Sequence, residues 1–213
     1  MNILWYNIYM PRKNTVYRQN LEGSFYHVYN RGLNKMNIFN SDEDFRFFEF
    51  LIERMLSPIP YKNRFGREYV NYHGQIEVHS YCLMPNHFHF LFKQNRVNAI
   101  KNFISSLSIA YSAHFNKANN RSGPIFESRY KAILVEGDEY LKHLSRYIHL
   151  NPLGFRSWDY SSYNDFLYEP RPWVNTKLIL GEFRTKNHYI AFVDDYREAS
   201  DPSQALESLL GDT

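Results

Sequence analysis

The chain has 213 residues, enough to bury a core as one large domain or as one domain with an appended tail. Its formal net charge of +3 is too small to name a partner, and its single cysteine, Cys82, excludes an intrachain disulfide and a zinc site built from several cysteines, so a reducing, cytoplasmic setting fits best. No stretch approaches the length of a membrane span, and the apolar opening MNILWYNIYM lacks the basic start and small-residue cleavage site of a signal peptide.

Along the chain, SFYHVY at 24–29 reads as an aromatic-rich strand stopped by NRG at 30–32. SDEDFRFFEFLIERML at 41–56 opens with an N-cap residue, Ser41, and acids in the first turn, then turns apolar on a helical period until Pro58 and Pro60 end it. Two strand-like runs follow at 75–84 and 87–94, divided by Met84-Pro85-Asn86. A long helix is predicted over 96–118, with Ile100, Phe103, Ile104, Leu107, Tyr111 and Phe115 on one face. NKANNRSGP at 116–124 is a loop by composition, YKAILVE at 130–136 a strand, and GDEYLKHLSRYIHL at 137–150 a helix ended by Asn151-Pro152. This order is the split βαβ plan with an added helix, an α+β fold whose helices pack on an antiparallel sheet in a ferredoxin-like or RRM-like arrangement. Beyond it the signal weakens: residues 156–213 read as a helical C-terminal extension, with short helices at WDYSSYNDFL and WVNTKLILGEF and a loose acidic tail, against a main domain at 1–155.

Charge is unevenly spread. Asn86 to Val135 holds seven Lys or Arg against one acid, whereas Glu182 to the end holds seven acids against three bases. A basic middle suits a polyanion, although a solvated basic face satisfies the same count.

The most telling stretch is LMPNHFHFLF at 83–92. Alternate residues of a strand share a face, so His87 and His89 project together while Phe88 and Phe90 project oppositely. Two imidazoles so placed can share a divalent cation, or can be core histidines bonded to backbone. Tyr111 lies one turn beyond Leu107 and is expected to face the sheet that carries the histidines, as a packed core phenol or as a nucleophile toward a metal-bound phosphate. Arg31, at a strand end, suits a phosphate clamp, and Arg121, Arg129 and Lys131 around the following loop suit a DNA-backbone track; each is also readable as an ordinary surface charge. Phe126 and Tyr130 read as core rather than as base-stacking rings, Asn86 either orients a ligand or shapes the turn, and the YIHLNP block at 147–152 reads as helix-end structure, so that His149 is not counted as a ligand.

Five blocks in order carry a resemblance: FYHVYNRGLNKMNIF, MPNHFHFLF, IAYSAHFNK, GPIFESRYKAILVE and YLKHLSRYIHLNPL. Across about residues 20–155 the chain resembles the single-tyrosine HUH transposases of the IS200 type, and most closely their REP-associated relatives. The resemblance implies a DNA strand transferase that cleaves and rejoins single-stranded DNA near hairpins through a covalent 5′-phosphotyrosine. Carried over by position, His87 and His89 hold Mg²⁺ or Mn²⁺ and Tyr111 is the nucleophile. The family takes a third ligand one turn after its tyrosine. Here that place holds Phe115, which cannot ligate, leaving His114 or Asn116. A homodimer is implied as the working unit. The competing readings are a domesticated, non-catalytic binder of structured DNA or RNA, and a metal-dependent hydrolase with water as nucleophile, for which only Glu77 and Glu127 lie near the pair in sequence.

Overall fold

The computed structural model describes residues 20–199. The apolar opening stretch and the acidic tail from residue 200 therefore lie outside the described residues. Strand β1 (Phe25–Arg31) leads through a single 3₁₀ turn (Leu33–Lys35) to helix α1 (Asp42–Leu56). There follow β2 (Ile76–Met84), β3 (His87–Gln94), α2 (Ala99–Ala118), β4 (Lys131–Val135) and α3 (Asp138–Leu150), then α4 (Tyr163–Leu167), α5 (Lys177–Leu180) and α6 (Lys186–Ala199). The strands form one four-stranded sheet in the order β2-β3-β1-β4, with every neighbouring pair antiparallel. β3 thus lies between β1 and β2, and β1 between β3 and β4, which is the split βαβ topology expected from the element order.

The local chemistry matches the sequence signals. The Ser41 side chain accepts a hydrogen bond from the Asp44 N–H at the start of α1, and Asp42, Glu43 and Asp44 fill its first turn. α2 starts at Ala99 rather than at 96 because Asn98 adopts φ +65°, with its N–H held by Asn20 Oδ1 at 2.7 Å.

The sheet has two differently dressed faces. Phe88, Phe90 and Phe92 of β3 point into a core built with Phe45, Phe48, Leu51 and Ile52 of α1 and Phe103, Ile104, Leu107 and Tyr111 of α2. On the reverse face Leu91, Cys82 and Val135 pack with Leu141, Leu144 and Ile148 of α3 and with Phe155, Tyr163, Phe166, Ile179, Tyr189 and Val193. Residues on both sides of position 155 therefore build this second core. The extension also covers the free edge of β2: Leu83 N–H donates to Tyr160 O at 2.9 Å, Ser162 N–H to Tyr81 O at 2.9 Å and Asn175 N–H to Val78 O at 2.8 Å. A sheet edge left bare would invite pairing with other chains.

Candidate functional site

The pleat of β3 puts His87 and His89 on the reverse face, the one that α3 covers. The register sets Arg31 of β1 opposite His87 and Tyr29 opposite His89, while Lys131 of β4 lies opposite Tyr29. A tight turn holds the start of β3 in place: Pro85 O accepts from the N–H groups of Ile38 and Phe39 at 2.7 and 3.0 Å, and Gly32 N–H donates to Asn86 O at 2.8 Å. Together these strands and loops line a cleft of about 190 Å³ whose walls include Tyr29, Arg31, Lys35, His87, His89 and Lys131.

Hydrogen bonds hold both imidazoles in place and fix the proton of His87. Asn86 Nδ2 donates to Lys35 O at 3.3 Å, which turns its Oδ1 toward His87 Nδ1 at 2.6 Å. An amide oxygen only accepts, so Nδ1 carries the proton and Nε2 keeps a lone pair. That lone pair faces Asn151 Oδ1 at 3.3 Å, and the Asn151 amide is oriented by Nδ2 donating to Tyr147 O at 3.1 Å. Two acceptors therefore face each other. His89 is fully buried; its Nδ1 meets His27 Nε2 at 2.9 Å, and its Nε2 has no hydrogen-bond partner. Burial lowers the pKa of His27 to about 3. Burial first, then the neighbouring His27 and His87, holds His89 well below its usual range. His87 is lowered by burial, with Arg31 adding to the effect and Asn151 opposing it. All three rings are neutral at neutral pH, the form in which imidazole binds metals.

Helix α3 brings a phenol to the same face. The Tyr147 ring stands edge-on to His89, centroids 5.6 Å apart, and to His27 at 6.0 Å. Its hydroxyl is shielded from solvent and makes no hydrogen bond of good geometry. Burial raises its pKa, and the Asn151 side chain one turn further on works against that rise. A buried hydroxyl without a good hydrogen bond is costly.

Among the described residues no three His, Cys, Asp or Glu side chains cluster as a metal site. The donor set here is of another kind, two imidazoles and an amide oxygen. The unpartnered Nε2 of His89, the facing acceptors at His87 and Asn151, and the outer-nitrogen contacts of both histidines with Asn86 and His27 fit a divalent cation.

Several residues expected at the site lie elsewhere. Tyr111 is fully buried on the opposite face of the sheet, packed edge-on to Phe48, with its hydroxyl donating to Ile38 O. It is part of the core and does not approach the histidine pair. His114 stacks on Phe47 at 3.8 Å and sits 3.9 Å from Asp44, while Asn116 donates to Gly123 O at 2.9 Å; both ride on α2, on the side of the sheet away from His87 and His89. The apolar stripe of α2 does face the sheet, but a sheet has two faces and the stripe meets the phenylalanines. Arg121 is spent on Pro124 O at 3.2 Å and on Met36 Sδ at 3.3 Å, and Arg129 is exposed beyond the cleft lining. Arg31 and Lys131 do line the cleft. Phe126 and Tyr130 pack against the first core. His149 is structural, bridging Ser162 Oγ and Tyr189 Oη at 2.7 Å each.

Sequence reasoning missed His27, Lys35, Tyr147 and Asn151. The signal for the last two was present: a tyrosine and an amide four apart share one helix face, and YIHLN has that spacing.

The family model described as transposase, IS200-like, matches residues 66–151. Among solved structures, a REP-associated tyrosine transposase bound to a REP hairpin is similar, with a TM-score of 0.49 and 14% identity over 70% of this chain and 82% of that one. No curated protein matches the chain. The segment matched by that family model contains the histidine pair, Tyr147 and Asn151.

Proposed function

We propose that the protein cleaves and rejoins single-stranded DNA with Tyr147, rather than Tyr111, as the nucleophile. The observation that carries this is the unpartnered Tyr147 hydroxyl, on the same sheet face as His87 and His89 and one turn before Asn151. In the step, the Tyr147 oxygen bonds to phosphorus as the bond from phosphorus to O3′ breaks. The electron pair leaves on O3′, which takes up a proton, while the phenol's proton passes to water. The products are a 5′-phosphotyrosine and a free 3′-OH, and attack by a 3′-OH reverses the step and rejoins the strand.

The phosphate is held by the cations of the cleft. Arg31 is engaged by Glu127 at 2.9 Å in a partly exposed pair, which a phosphate can replace at small cost. Lys131 lies over the Tyr29 ring at 5.7 Å, and Lys35 completes the set. His87, His89 and Asn151 would hold Mg²⁺ or Mn²⁺, which when bound withdraws charge from the scissile phosphate. His27 and Asn86 orient the two rings. Their partners set which nitrogen faces inward.

The test is adduct formation. Labelled single-stranded hairpin oligonucleotides with Mn²⁺ are expected to give a protein–DNA adduct on a denaturing gel, lost with a chelator and in the His87→Ala/His89→Ala double variant. Tight binding with no adduct from any oligonucleotide would instead favour a non-catalytic binder.

A further inference from the structure

Between α1 and β2 the chain makes an excursion, residues 57–72, that the cleft does not use. It is a tied hairpin. Asn63 Oδ1 accepts from the N–H groups of Phe65 and Arg67 at 2.9 and 3.1 Å, and Gly66 supplies the positive φ of +77° that the tip requires. Tyr69 N–H donates to Tyr61 O at 2.9 Å, and at the base Tyr72 N–H donates to Met55 O at 2.7 Å.

This ordered frame displays apolar groups to water. Ile59 and Phe65 are each 78% exposed, and Tyr61, Tyr69, Val70 and the adjoining Phe50 of α1 are also exposed. Cations are interleaved with the rings: the Arg54 guanidinium lies 4.3 Å above Tyr69 and 5.9 Å from Phe50, and Arg64 lies 4.7 Å above Phe65. Arg54, Lys62, Arg64 and Arg67 outnumber the local acids Glu53 and Glu68. Contiguous exposed apolar surface on a rigid support marks an interaction site. Flat rings alternating with cations match unpaired nucleotides, whose bases stack while their phosphates pair.

We infer that the 57–72 hairpin is a second nucleic-acid surface, which takes unpaired nucleotides of DNA. The choice of DNA rests on the proposed strand-transfer reading. The surface is remote from the cleft: the hairpin joins β2 at Ile76, while the histidines pair with its other end at Met84 and Cys82. At about 3.3 Å per residue the two ends are about 26 Å apart. The hairpin would therefore grip DNA well away from the scissile phosphate.

The test uses the full chain, with Arg64→Ser/Phe65→Ser as the variant, since both side chains are exposed and the fold is expected to persist by circular dichroism. Fluorescence anisotropy is read with labelled oligo(dT) and with a duplex of equal length, in chelator and at matched salt. Affinity for oligo(dT) is expected to fall about tenfold while duplex affinity holds, a size suited to the loss of one stacked base and one cation. Photo-cross-links from 5-iododeoxyuridine are expected to map to residues 59–70 in the wild type. Unchanged oligo(dT) affinity, or a wild type that does not bind it, would overturn the proposal; so would a variant that alters only sedimentation, which would mark a self-association surface. Tyr147→Phe separates the two readings. It is expected to lose the adduct yet keep oligo(dT) affinity, so either reading can fail alone.

Discussion

His89 has one ring nitrogen against His27 and the other against nothing, and this asymmetry sets the first prediction. His27→Phe keeps an aromatic ring but removes the hydrogen-bond partner of His89 Nδ1. Mn²⁺ affinity, measured by titration calorimetry on metal-free protein, is expected to fall about 10- to 100-fold, and His27→Gln, which still offers a partner, should recover part of it. An unchanged affinity would show that His27 only fills space. Tyr111 leads to the opposite expectation. Tyr111→Phe strips the donor from the buried Ile38 carbonyl and is expected to cost about 1–2 kcal/mol in urea unfolding, with adduct formation intact. The histidine pair was legible because an apolar strand has little structural use for two imidazoles on one face. The role of Tyr111 was not, because a stripe says that a residue is buried, not which side of a sheet buries it.

At the scale of elements, periodicity located the four strands of the described residues and the three long helices that pack on the sheet, α1, α2 and α3. α6 was not legible: among its described side chains Tyr189 and Val193 are buried and Phe192 packs beside them, too short a stripe to stand out among polar neighbours. The site itself is an arrangement of element ends. β1 and β2 finish where β3 starts, and the C-terminal end of α3 delivers Tyr147 and Asn151 to that rim. Gly32 shows how tightly the rim is built. A Cβ there would lie 2.1 Å from Met36 O and 2.9 Å from Ile38 Cγ2. Gly32→Ala is therefore expected to destabilise by about 1–3 kcal/mol, seen as a lower urea midpoint at unchanged slope; a neutral change would mean that this loop yields easily.

On the scale of the whole molecule, burial of several neutral histidines couples stability to pH. His149, between α3 and the extension, is lowered by burial to about 3, and His79 to about 4 by burial, against the opposing pull of Glu77. Unfolded, each titrates near about 6.5. Below that value the unfolded chain takes up protons that the folded chain refuses, so stability is full above about pH 6.5 and falls as pH drops toward the folded pKa values. Each histidine contributes a slope approaching about 1.4 kcal/mol per pH unit. Urea midpoints are expected to fall between pH 7 and pH 5, and His149→Gln should flatten that slope by about one proton; equal slopes would show that His149 plays no part in the coupling. Among the described residues no helix is long and apolar enough to cross a membrane. Fold class was readable from the order of elements alone. The assignment of helices to faces was not, because strand alternation announces two faces without saying what covers each, and that assignment decides which tyrosine meets the histidines.

The most direct measurement is therefore the position of the covalent bond. The protein is trapped on a single-stranded hairpin oligonucleotide with Mn²⁺, digested, and the nucleotide-bearing peptide sequenced by mass spectrometry, with Tyr147→Phe and Tyr111→Phe run alongside. The geometry predicts a nucleotide on Tyr147, no adduct in Tyr147→Phe and a full adduct in Tyr111→Phe. A nucleotide on Tyr111, or an adduct that survives Tyr147→Phe, would contradict it.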